Sequence, residues 1–357
     1  MYKKSILIFL VFICIFTNCT INTSRKHDVL TFNKFPITTH LSHEKIETEP
    51  ILYSVVGLLL LDSILVTLDL KTDTFFHIFK LPAFESKGGY ITRGYGPDEE
   101  IFIEPYIRRI SKNEFLFKGQ NSIRIAEYNT ISDKLEIVTK INLPPELLDI
   151  WNIIKIGDSI ISNKPLGWAN WENTEFIGYN TKNDEIFDFG GRYPSVGRRI
   201  EPQRKDNLLA KICVVKPDGS AIAAVYDKFP ILRIYAMDGN IKKEVRLNNG
   251  QSFPSALLEN NPSEYSLNEV MQNYRMIKSS NNYIYALYIG KKEQEMDKGL
   301  NDLSNEIHIW NWDGEPIERI LLDEKIFTFD VDLHDNYIIG SSLLSLDALY
   351  KYNLKKE

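Results

Sequence analysis

The feature that most constrains this chain is a rhythm of short β-branched and aromatic runs, broken by Asp, Asn and Gly turns, that recurs at a period of about 50 residues. The clearest copy covers residues 212–215, 221–226, 232–236 and 242–247, with Pro217-Asp218-Gly219 and Asp238-Gly239 as turns. Runs of this length between turn signals read as antiparallel strands joined by hairpins. A copy before it covers 153–156, 160–161, 176–179 and 186–189, and one after it covers 274–278, 284–289, 307–311 and 317–321. Two earlier copies show three runs each, at 58–61, 64–68 and 75–81 and then at 115–118, 123–128 and 135–141. The last copy is one strand short, with runs at 327–331, 337–341 and 349–354.

Four-stranded antiparallel units repeated in this way are the blades of a propeller. The expected fold is therefore all-β, a six-bladed β-propeller over residues 29–357. The run 29–35 is a spare strand near the N-terminus, and its pairing with the last blade would close the ring and remove the exposed sheet edges. Two β-sandwiches of three units each would need a Pro/Gly/Ser-rich linker near the middle of the chain, and none is there. Two insertions interrupt the rhythm. Residues 254–274 carry Leu267, Val270, Met271 and Tyr274 at helical spacing behind Ser263, which predicts a short helix. Residues 291–306 are strongly polar and read as a solvated excursion in the fifth blade.

The first residues give an address. Lys3 and Lys4 precede an unbroken apolar run at 6–16, followed at once by Thr17, Asn18 and Cys19. That is the layout of a signal peptide, with an apolar run too short to remain as a membrane anchor. Cys19 stands where a bacterial lipoprotein signal places the thiol that receives lipid. Phe16, Thr17 and Asn18 depart from the small residues usual before that cysteine, but no A-x-A-like site offers ordinary cleavage. The expected organisation is a lipoprotein signal at 1–18, a lipid-anchored tether at 19–28 and the propeller beyond. The membrane is then a partner through lipidated Cys19. No acidic cluster follows Cys19, which points to the outer membrane and to its periplasmic side. A net charge of −6, made more negative by losing two lysines with the signal, excludes a basic nucleic-acid footprint. Three cysteines cannot make a disulfide scaffold.

One string is less generic than the strands around it: Arg93-Gly94-Tyr95-Gly96-Pro97-Asp98-Glu99. It resembles the G-x-G-P-x-E element after the first blade of TolB-like six-bladed propellers found among bacterial envelope lipoproteins. Further similarity lies, in order, at Phe176-Ile177-Gly178-Tyr179-Asn180, at Phe189-Gly190-Gly191-Arg192-Tyr193-Pro194, in residues 283–288 and in residues 309–316. Asp98 stands where a second glycine is common in that family. The resemblance spans nearly the whole mature chain and implies the fold and an envelope location. It brings no catalytic residue with it.

The candidate chemistry is sparse. The loop of Arg93, Gly94, Gly96, Pro97 and Glu99 is no phosphate cradle, because Pro97 removes a donor and acids follow it. Its glycines read instead as a tight inter-blade turn that uses positive φ. His40, His43 and Glu44 run in the order H-x-x-H-E, which lacks the third ligand of a zinc site. His308 sits between Ile307 and Ile309 and reads as a sheet histidine. No G-x-S-x-G is present, and Cys213 lies in an apolar run that reads as core. No catalytic residue, metal or cofactor is nominated. Trp168 and Trp171, near Trp151 and Tyr179, are candidates for stacking on a sugar or a partner loop, or for capping their own blade. Arg198 and Arg199, in a basic stretch with Arg192 and Arg204, are candidates for meeting a carboxylate or phosphate. The expected function is a binding or scaffold module for a protein, peptide or glycan. The alternative is a propeller-type glycan-acting lyase or hydrolase.

Overall fold

The computed structural model describes residues 27–165, 168, 174–196, 208–251, 270–295, 303–344 and 348–355. The signal segment, Cys19, Trp171, Arg198, Arg199 and Arg204 lie outside these residues.

Three strands come first: β1 (Asp28–Phe32), β2 (Ile37–Leu41) and β3 (Glu44–Glu47). Six antiparallel blades then follow in chain order. Blade one holds β4 (Val55–Leu60), β5 (Ile64–Asp69), β6 (Thr74–Lys80) and β7 (Glu85–Thr92). Blade two holds β8 (Arg108–Arg109), β9 (Glu114–Lys118), β10 (Ser122–Asn129) and β11 (Lys134–Asn142). Blade three holds β12 (Ile154–Ile156), β13 (Ser159–Asn163), β14 (Phe176–Asn180) and β15 (Glu185–Phe189). Blade four holds β16 (Lys211–Val215), β17 (Ile222–Tyr226), β18 (Ile231–Tyr235) and β19 (Ile241–Leu247). Blade five holds β20 (Met271–Ser279), β21 (Tyr283–Lys292), β22 (Ser304–Asn311) and β23 (Pro316–Ile326). Blade six holds β24 (Thr328–Val331), β25 (Tyr337–Ser341) and β26 (Ala348–Asn353).

The middle strands are apolar on both faces because each blade is covered by two neighbours. In β9, Phe115 and Phe117 pack with Val66 and Phe76 of blade one, while Leu116 between them packs with Ile160 and Ile177 of blade three. Successive side chains on a strand point to opposite faces, so one run feeds two cores. The same division holds around the ring, and Ile339 and Leu349 of blade six meet Leu58 and Leu60 of blade one. Each fully buried Leu or Phe contributes about 1.5–3 kcal/mol, so the inter-blade layers hold the ring together.

An N-terminal strand does close the ring, but it is not the run 29–35. Strand β3 pairs antiparallel with β26 and supplies the fourth strand of blade six. Strand β1 lies parallel on β19 at the outer edge of blade four, and β2 lies parallel on β23 of blade five. The chain therefore runs round the rim past blades four, five and six before entering β4. Position along that path decides the partner: β3 is the last strand before blade one. Its Ile46 is buried against the blade six core while Glu44, Lys45 and Glu47 face out. Phe35 instead enters the layer between blades four and five, its ring 4.4 Å from that of His308 and 5.4 Å from that of Trp310.

The expected helix over 254–274 also changes. Most of it lies outside the described residues, but Met271 and Tyr274 belong to β20. Pairing of β20 with β21 shifts register between Gln272 and Tyr274 and again between Tyr274 and Met276. Such bulges break the two-residue alternation, and the resulting spacing imitates a helical stripe.

Candidate functional site

The innermost strands β4, β8, β12, β16, β20 and β24 surround the axis. At one end of the axis lies a cavity of about 460 Å³. Every blade contributes to its lining near the turn between the first two strands: Asp62, Ser111, Gly157, Pro217, Ser279 and Leu333. Ile107, Ile110, Ile154, Ile156, Val214 and Met237 make its walls largely apolar. Lys112, Lys155 and Lys216 line it as well.

Buried and half-buried cations form its deepest layer. Arg108, 6% exposed, donates from Nη2 to Asn152 Oδ1 at 2.5 Å and stands over the Tyr106 ring at 5.5 Å. Asn152 adopts φ 54° and donates from Nδ2 to the Lys211 carbonyl at 2.9 Å, which ties blade two to blade four. Arg109 donates from Nη2 to the Leu60 carbonyl, while its buried Nε and Nη1 have no hydrogen-bond partner. Lys278, 5% exposed, donates to the Leu58 carbonyl at 2.5 Å and lies 3.6 Å from Asp330 Oδ1. The other oxygen of Asp330 accepts the Leu60 N–H at 2.6 Å. Three cations thus share one carboxylate in this layer. Among the described residues neither guanidinium has a carboxylate within ion-pair distance.

Electrostatics follow from that imbalance. Burial lowers the Lys278 ammonium to about 8; Asp330 opposes this, and Arg108 and Arg109 add to it. Burial likewise lowers both arginines below their ordinary values. The layer offers unmet donors and positive charge in a low-dielectric place, which is the chemistry of anion binding.

The residues nominated from the sequence lie elsewhere. Strand β13 ends and β14 begins at the end of blade three away from Gly157, so Trp168 between them is remote from the cavity mouth. Trp168 is partly buried against the layer shared by blades two and three, capping its own blade. Trp171, Arg198 and Arg199 fall outside the described residues. The loop of Arg93, Gly94, Gly96, Pro97 and Glu99 joins blades one and two and is engaged with itself. Gly96 N–H donates to Glu99 Oε2 at 2.8 Å, and Arg93 donates to the carbonyls of Leu70 at 2.8 Å and Ile101 at 3.1 Å. The two glycines do not adopt positive φ, contrary to expectation. A Cβ at Gly94 would lie 2.0 Å from Glu99 Oε2, so a larger residue there would displace the Glu99 carboxylate from the turn. The next residue, Glu100, is buried and pairs with Arg124 Nε of blade two at 2.7 Å.

The remaining candidates are structural too. His308 sits on β22, its Nε2 2.8 Å from Glu306 Oε1 and its Nδ1 3.1 Å from the Tyr274 hydroxyl. His43 pairs with Asp323 at 3.0 Å. Among the described residues no three His, Cys, Asp or Glu side chains gather as a metal-binding group. Burial raises the Cys213 thiol to about 12, which keeps it neutral in the core.

The family profile described as TolB-like 6-blade propeller-like matches residues 54–334, most of the chain, from blade one to the first strand of blade six. The chain belongs to that family. Among solved structures, this TolB-like propeller is similar to one described as that of an exported protein from Bacteroides fragilis. The TM-score is 0.58 at 13% identity, covering 92% of this chain and 100% of that one. It is also similar to a member of the DUF4221 family from Bacteroides vulgatus, with a TM-score of 0.54 at 13% identity, covering 88% of this chain and 98% of that one. At such identity the likeness establishes the fold. No curated protein matches the sequence.

Sequence reasoning missed Arg108 and Arg109. Ile107-Arg108-Arg109-Ile110 carries two adjacent charges, which normally mark a surface. The one available signal was positional: the first strand of the second unit was missing, and these residues fill that place.

Proposed function

We propose that this TolB-like propeller is a ligand-binding module of the bacterial cell envelope, held by lipid on Cys19 at the periplasmic side of the outer membrane. The ligand seats in the axial cavity. The observation that carries this reading is the cavity itself, to which all six blades contribute and in which cations exceed carboxylates. Its volume lies in the range of about 300–1,000 Å³ typical of small-molecule sites. The signal-like N-terminus and the exported protein among similar structures support the envelope location.

Two experiments test the two halves. The apolar anion 8-anilinonaphthalene-1-sulfonate should bind the folded chain at one saturable site, and Ser279→Trp, which places an indole in the mouth, should abolish that site. Undiminished binding in Ser279→Trp would overturn the cavity reading. Replacement of Cys19 by Ser should move the protein from the membrane fraction to the soluble periplasmic fraction; retention in the membrane sinks the lipid anchor.

A further inference from the structure

The walls and floor of the cavity differ in chemistry, and the contrast narrows the ligand class. This step rests on the reading of the cavity as the ligand site. The floor holds Arg108, Arg109 and Lys278 with Asp330, Asp62 stands nearer the mouth, and two nitrogens of Arg109 lack an acceptor. A buried donor left unmet costs about 1–3 kcal/mol, which an incoming oxygen acceptor recovers. The walls of Ile107, Ile110, Ile154, Ile156 and Val214 offer nothing polar but do offer apolar surface that water covers poorly. An inorganic anion would satisfy the floor and leave those walls wet. A neutral apolar molecule would cover the walls and leave the cations unmet.

We propose that the axial cavity takes a carboxylate carrying an apolar body, with the carboxylate between Arg109 and Lys278 and the body against the isoleucine walls. The carboxylate brings the acceptor that Arg109 lacks and a second negative charge beside Asp330. That charge favours protonated Lys278. Binding near pH 8 therefore draws a proton onto Lys278, whose charged neighbours are Asp330 from β24 and Arg108 and Arg109 from β8.

The test uses three probes with one body: 4-phenylbutyrate, 4-phenylbutanol and 4-phenylbutylamine, each titrated calorimetrically into the full chain. The acid should bind at least tenfold tighter than the alcohol, and the amine should not bind. Arg109→Met should erase the preference for the acid while the alcohol keeps its affinity, and Lys278→Met should do the same and abolish proton uptake at pH 8. Because either variant can misfold, each is compared with wild type by circular dichroism, and the ratio of acid to alcohol in wild type decides the matter alone if both fail. Equal binding of acid and alcohol would overturn the carboxylate assignment and leave the cavity reading standing. Inorganic phosphate binding as tightly as the acid would overturn the role of the apolar body. Binding of none of the three would overturn this proposal; if Ser279→Trp also left sulfonate binding intact, the cavity reading falls separately.

Discussion

Replacing Arg233 by Met should destabilise the propeller by about 3–5 kcal/mol, the cost of removing one partner from a buried ion pair. Arg233 is 1% exposed and lies between two carboxylates that are equally hidden, Glu175 at 0% and Glu244 at 1%. Its Nε lies 2.7 Å from Glu244 Oε2, and Nη1 reaches both Glu175 and, at 2.6 Å, the Arg192 carbonyl. Removal leaves the two acids in different positions. Glu244 keeps Arg246, whose Nε lies 2.6 Å away. Glu175 keeps the hydroxyl of Tyr226, that of Tyr235 at 3.2 Å, and the attraction of the buried Lys211 ammonium, but no direct ion pair among the described residues. Hydroxyls solvate a carboxylate but do not neutralise it, so most of the penalty falls on Glu175. Urea unfolding at pH 7 measures the loss. The double variant Arg233→Met with Glu175→Leu should recover most of the loss, since an apolar replacement of the whole pair is close to neutral. A loss below about 1 kcal/mol, or a double variant worse than the single one, would refute the reasoning.

Gly119→Ala should cost roughly 1–3 kcal/mol, because a Cβ there meets the Glu100 carboxylate at 2.4 Å and displaces it from Arg124; urea midpoints read this. Ile46→Asp should open the ring at blade six and lose about 2 kcal/mol or more, whereas deleting residues 1–32, which removes β1, should leave closure intact; limited proteolysis distinguishes the two. The stability difference between Lys278→Met and wild type should depend on pH. The folded lysine titrates near 8 and the unfolded one near 10.5, so the unfolded state holds more protons in between. Wild type should therefore gain on the variant from pH 8 towards 10.5, and a difference that stays constant over that span would show that Lys278 carries no burial cost.

Much of the architecture was legible in residues close together in the chain. The fourth blade was readable strand by strand because Asp238-Gly239 turns it tightly: Gly239 adopts φ 85° and Asn240 N–H donates to Asp238 Oδ1 at 3.0 Å. Strand β7 was not readable, since Ser86-Lys87-Gly88-Gly89 has neither β-branched nor aromatic residues and is held by its pairing with β6 and by Lys87 reaching Asp133 of blade two. The candidate site was barely legible. The tryptophans drew notice as rare exposed-looking aromatics, yet Trp168 caps its own blade while the cations of the cavity sit in an undistinguished run.

By itself the sequence determined that this chain makes antiparallel hairpins, six sets of them, because the partner of each hairpin strand is its neighbour in the chain and turn chemistry settles the pairing locally. Tertiary structure alone decided which blade receives each N-terminal strand. Phe32 and Leu247 are register partners far apart in sequence, and nothing near either names the other. Tertiary structure also decided that Arg108 and Lys278 are buried and that Arg109 is half-buried beside them. A cation is surface or core according to what the rest of the ring places over it, and that requires all six blades at once.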